Sequence, residues 1–220
     1  MKIIELKETI TASNDLDAEV LRGEMKQKGT LLINLMASPG AGKTTLLERT
    51  IKDLKSKISI GIMEADVDSY VDAKRVELAG AKAIQVHTGG MCHMDAGMTR
   101  TGLEELGYEG LDLTILENVG NLICPAEFDT GAGKKVMILS TPEGDDKPLK
   151  YPLMFRESNV LIISKIDVME YFDFNIELCI ERAKKLNPNI IVFPLSAKTG
   201  EGFEAWEEWL LNEVASWKER

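Results

Sequence analysis

Between an apolar run at residues 31–36 and a helical pattern at residues 44–54 stands A-S-P-G-A-G-K-T-T, residues 37–45. A strand, a glycine-rich turn and a helix in that order make a phosphate-binding loop. The glycines let backbone N–H groups close around phosphate oxygens at the helix end whose dipole favours negative charge. Pro39, Gly40, Ala41, Gly42, Lys43, Thr44 and Thr45 are the expected contacts. Lys43 should reach the β- and γ-phosphates, and the Thr44 hydroxyl should join a Mg²⁺ shell. Ala37 stands where such loops usually begin with glycine; the position mainly shapes the turn, and alanine is the smallest replacement.

The rest of the chain supports that setting. Further apolar, β-rich runs lie at 58–63, 83–86, 113–116, 136–139, 160–163 and 190–195, and helical spacing at 71–78, 94–106, 175–186 and 203–217. Near-continuous apolar strands alternating with helices predict a parallel sheet covered on both faces. The expected fold is therefore α/β, a three-layer P-loop NTPase fold with a mainly parallel seven-stranded sheet. Residues 1–29 are charged, with Leu16, Val20, Leu21 and Met25 spaced for one helix face. They are expected to form an amphipathic N-terminal helical arm, with residues 30–220 as the nucleotide-binding domain. Residues 141–152 carry three prolines and three acids and read as a mobile or interface loop.

Composition excludes several classes. A net charge of −10 argues against a nucleic-acid partner. Three scattered cysteines cannot make a disulfide framework, the first residues do not read as a signal peptide, and no apolar run of membrane length occurs in the sequence. A cytoplasmic, single-domain protein is expected.

Ligands of such sheets bind beyond the carboxyl ends of the strands. The sixth strand ends in S-K-I-D (Ser164, Lys165, Asp167), and the seventh in S-A-K (Ser196, Ala197, Lys198). Together they resemble the N-K-x-D and S-A-K elements of GTP-binding proteins, with Ser164 in place of asparagine. A carboxylate at Asp167 accepts from guanine N1–H and the 2-amino group, which adenine does not offer. Lys165 is expected over the base and the backbone near Ala197 at the guanine O6.

Asp66, Asp68 and Asp72 follow the second strand, and Glu117 tips the fourth with Gly120 beyond. Asp66 and Glu117 are assigned to Mg²⁺ or to the attacking water, and Gly120 to a hinge that senses the γ-phosphate.

The loop after the third strand holds Cys92-His93, and the loop after the fourth holds Cys124. In a parallel sheet both emerge on one edge, where two thiolates and an imidazole suit Zn²⁺, Ni²⁺ or Cu(I) and leave a coordination position open. One chain would hold the metal, or a two-fold dimer would bridge it. Adjacent side chains in an extended loop point apart, which argues against a Cys–His hydrolase. Met94 and Met98 read as a buried helix stripe, and Cys179 as core.

The segments S-P-G-A-G-K-T-T, T-G-G-M-C-H-M-D-A, E-N-V-G-N-L-I-C-P-A-E-F-D and E-G-D-D-K-P-L-K-Y-P together resemble the nickel-insertion GTPases of [NiFe]-hydrogenase maturation, the HypB family. The urease nickel GTPases (UreG) share the architecture but have C-P-H where this chain has C-H. The resemblance implies a GTP-hydrolysing metallochaperone that dimerises across its nucleotide sites in the GTP state. It implies Ni²⁺ or Zn²⁺ on the equivalents of Cys92, His93 and Cys124. It also implies a small nickel-binding partner (HypA-like) and delivery to the hydrogenase large-subunit precursor. The N-terminal C-x-x-C-G-C or histidine-rich segments of some members are not found in residues 1–29, which contain no Cys or His. On the residues alone, two alternatives stay open. One is an ATP-dependent small-molecule kinase or ligase, disfavoured by the guanine elements. The other is a P-loop chaperone for another metal or cofactor, such as urease nickel or cobalamin.

Overall fold

A computed structural model describes residues 6–66 and 71–219. The chain runs α1 (Leu6–Lys28), β1 (Leu31–Ala37), α2 (Lys43–Leu54), β2 (Ile60–Asp66), α3 (Val71–Ala79), β3 (Lys82–His87), α4 (Ala96–Leu106) and β4 (Leu113–Glu117). It continues through α5 (Cys124–Glu127), β5 (Lys134–Ser140), α6 (Lys147–Lys150), α7 (Pro152–Glu157), β6 (Val160–Ser164), α8 (Ile176–Leu186), β7 (Ile191–Pro194) and α9 (Phe203–Glu219). All seven strands are parallel, in the order β3-β2-β4-β1-β5-β6-β7. Among the described residues, no helix is long and apolar enough to cross a membrane.

Strand periodicity explains the layers. Successive side chains point to opposite faces, so a strand apolar at every position serves two cores. Leu31, Ile33, Leu35 and Ala37 of β1 pack with α2, α3 and α9, alongside Ile138 and Ile162. Leu32 and Met36 face the other side, where α1 and α4 cover one half and α7 and α8 the other. Ala37, the departure in the phosphate loop, is the last residue of β1, wholly buried and paired with Ile138. Cys179 is likewise wholly buried, in α8.

Three details differ from expectation. β2 starts at Ile60 and runs to Asp66, three residues past the apolar run. Ile58 closes the end of α2 by donating to Leu54 O, whereas Glu64 keeps the strand going by pairing with Gln85 and Glu117. On α1, Ala18, Leu21 and Met25 are buried, while Leu16 and Val20 are 68% and 57% exposed, so the apolar face is divided. The helix is held down at α4 and β1, and Arg22 forks onto both carboxylate oxygens of Asp129 at 2.7 and 2.6 Å. The 141–152 segment is ordered rather than an irregular loop, with a single 3-10 turn at Thr141–Glu143 followed by α6. Glu143 caps Ser140, and Arg182 of α8 grips Asp145 at 2.5 Å.

Candidate functional site

Gly42 caps α2 with φ 103°, a left-handed conformation that glycine adopts without steric cost, and so aims the loop at the helix end. A cavity of about 600 Å³ opens there, lined by Pro39, Gly40, Gly42, Lys43, Thr44, Thr45, Glu117 and Gly120. Thr44 Oγ1 lies 3.4 Å from Glu117 Oε1, and Lys43 Nζ 3.9 Å from the same oxygen. A hydroxyl and a carboxylate oxygen thus meet beside an ammonium: the two oxygens suit a hard cation and the ammonium suits phosphate. The side chains of Asp66 and Asp72, and the whole of Asp68, lie outside the described residues.

A second cavity of about 270 Å³ adjoins the first and shares Gly42, Thr45 and Lys165 with it. Asp167, Ser196, Ala197 and Lys198 line it, with Ser164 at its base. Lys165, in a left-handed conformation with φ 62°, donates to Gly40 O at 2.7 Å. Ser164, which stands where asparagine is usual, donates to Ala41 O at 2.8 Å and ties β6 to the phosphate loop.

Beyond the β3 and β4 ends, Cys92, His93 and Cys124 bring their ligand atoms within 4.8 Å of one another. Cys92 Sγ is 2.8 Å from Cys124 Sγ and 3.8 Å from His93 Nδ1. The two neighbouring side chains therefore converge, correcting the expectation that they point apart: bends follow the Thr88–Met91 turn, and the loop is not extended. The hydrogen bond with Cys92, then burial, pushes the Cys124 thiol up to about 11. Burial pulls the His93 imidazole below its ordinary value, against the opposing pull of Asp95 and Glu127. Met94 is buried in the α4 layer but precedes the helix, whose cap is Asp95.

The CobW/HypB/UreG nucleotide-binding domain matches residues 31–194. The hydrogenase maturation factor HypB of Rhizobium leguminosarum bv. viciae is 45% identical over 95% of this chain and 70% of its own length. The chain belongs to the HypB family.

Solved structures of the family agree. HypB from Helicobacter pylori in complex with nickel superposes with a TM-score of 0.87 at 38% identity, covering 93% of this chain and 96% of that one. HypB from Archaeoglobus fulgidus gives 0.86 at 38% identity, over 92% and 99%.

Several residues of this HypB-family site escaped the sequence reading. Glu64 and Arg75 also line the phosphate cavity. Phe128 stacks on His93, with centroids 3.8 Å apart and planes at 14°. Asn118 and Asn121 hydrogen-bond to the backbone of the Cys92–Met94 loop. A signal for Asn121 was available: an asparagine three residues before Cys-Pro is the pattern of a side-chain-closed turn opening a helix.

Proposed function

We propose that this chain is a GTP-hydrolysing metallochaperone that carries Ni²⁺ to the large-subunit precursor of a [NiFe]-hydrogenase. One observation carries the reading: the segment that begins at Glu117, in the phosphate cavity, ends seven residues later at Cys124 in a Cys-His-Cys cluster. The maturation-factor relatives and the nickel complex of the H. pylori protein support the cargo and the client.

In this reading the phosphate loop and Lys43 bind and neutralise the triphosphate, and Asp167 selects guanine, with Lys165, Ser196, Ala197 and Lys198 around the base. Thr44, Glu117 and Asp66 would hold Mg²⁺, which when bound supplies charge neutralisation to the phosphates. Glu117 is also assigned to orient the water that attacks the γ-phosphate. Gly120 rests against the phosphate loop, so loss of the γ-phosphate moves the segment that carries Cys124 and alters the metal site. Cys92 and Cys124 bind Ni²⁺, or alternatively Zn²⁺, as thiolates, so uptake releases protons. A GTP-promoted homodimer, a HypA-like accessory protein and a cytoplasmic location complete the reading.

The test is reconstitution. Purified chain, Ni²⁺ and GTP are added to a metal-free hydrogenase precursor with its accessory protein, and hydrogenase activity is measured. Activation that needs GTP and is lost in Cys92→Ala is expected. Equal activation with ATP, or by Cys92→Ala, would overturn the reading.

A further inference from the structure

Two carboxamides on the segment after β4 grip the Cys92-His93 dipeptide from both sides. Asn118, 1% exposed, accepts the Met94 N–H through Oδ1 at 3.3 Å and donates through Nδ2 to Asn34 Oδ1 of β1 at 3.0 Å. Asn121 donates through Nδ2 to the Cys92 carbonyl, while its Oδ1 accepts from the N–H groups of Ile123 and Cys124, each at 2.9 Å. Only one orientation of the Asn121 amide serves these partners, because a carbonyl must receive a donor and two N–H groups need an acceptor. The same side chain therefore closes the turn that presents Cys124 and holds the backbone that presents Cys92. The two ligands lie 32 positions apart in sequence, with their sulfurs 2.8 Å apart.

We infer that Asn121 is a positioning residue for the metal cluster: its cross-loop donor places Cys92 in the ligand set assembled by Cys124. The inference rests on the metal-carrying function proposed above. Metal ligands depend on the neighbours that orient them, and losing such a neighbour typically weakens metal binding by about 10–100-fold. Aspartate at this position is the discriminating change. It retains an oxygen for the Ile123 and Cys124 amides but has no N–H for Cys92, and turns a carboxylate oxygen toward that carbonyl.

The experiment measures Ni²⁺ affinity of the full chain, by competition with a chelator, for wild type, Asn121→Asp, Cys92→Ala and the double variant. Asn121→Ser, which cannot span to Cys92, is the second replacement. Asn121→Asp and Asn121→Ser should each bind about 10–100-fold more weakly, with weaker thiolate-to-nickel absorption at saturation. Adding Asn121→Asp to Cys92→Ala should change nothing further, because the residue acts through Cys92. Wild-type affinity and absorption in Asn121→Asp, or losses that add in the double variant, would overturn the inference. A Cys92→Ala variant that binds nickel as wild type does would overturn the metal reading itself, and this inference with it.

Discussion

Gly120 packs so closely on Pro39 that a methyl group there would lie 3.1 Å from Pro39 Cγ and 3.2 Å from its backbone N. Contacts this short force one side to yield, and overpacking of this kind costs about 1–3 kcal/mol. Gly120→Ala should therefore push the segment after β4 away from the phosphate loop. Binding of a GTP analogue should fall by about five- to a hundredfold, with GDP affected less, in titrations with fluorescent nucleotides. Equal losses for both nucleotides would mean that Gly120 does not sense the γ-phosphate.

Asp167 lines the smaller cavity with Ala197 and Lys198. In the proposed base site its carboxylate is the acceptor for guanine's donor edge, and hydrogen bonds to a charged group contribute about 1.5–3 kcal/mol. Asp167→Asn should weaken GTP binding by about 10–150-fold and improve binding of xanthosine triphosphate. Competition assays with GTP, XTP and ATP read this directly, and unchanged GTP affinity removes Asp167 from the base site.

Ser164 holds Ala41 O from beneath, with its hydroxyl 2.8 Å away and nearly buried. Ser164→Ala strips that carbonyl of its donor, at a cost of about 1–3 kcal/mol. Nucleotide affinity should drop about five- to a hundredfold, while Ser164→Asn, which retains a donor, should stay near wild type. Calorimetric titration with GDP separates the two.

The phosphate loop and the sheet were legible because their signals are local. Gly42 and Lys43 need only the strand before and the helix after, and an unbroken apolar run such as 31–36 serves two cores wherever it sits. The cysteines and His93 were legible as a set because parallel topology sends both loops to one edge. What holds them there was not. Asn121 and Cys92 meet only after folding, and no period or spacing links positions 29 apart. Glu64 broke an apolar run and so read as the end of β2, although its pairing with Glu117 keeps it inside the sheet. On α1, helical spacing gave a stripe without saying that Leu16 and Val20 turn outward while Ala18 goes in.

Asp112 accepts from the Ser59 N–H at 2.6 Å and its hydroxyl at 2.8 Å, and pairs with Lys218 of α9. Burial pushes its carboxyl up, but the hydrogen bonds from Lys218 and Ser59 outweigh it and hold the group below the usual value. A carboxyl with a depressed folded value stabilises the fold above its unfolded value of about 4, and that contribution fades as pH falls through the folded value. Asp112→Asn should lower the urea midpoint at pH 7 and shrink the drop in midpoint on acidification below about pH 4. Parallel curves for the two proteins would contradict this.

The proposed function requires nucleotide state and metal affinity to be coupled through the segment from Glu117 to Cys124. Titration of Ni²⁺ into the protein loaded with GDP, and separately with a non-hydrolysable GTP analogue, tests it most directly. Affinities that differ by about 5–150-fold, with the difference abolished in Cys124→Ala, are the predicted result. Superimposable isotherms in the two nucleotide states would rule that coupling out.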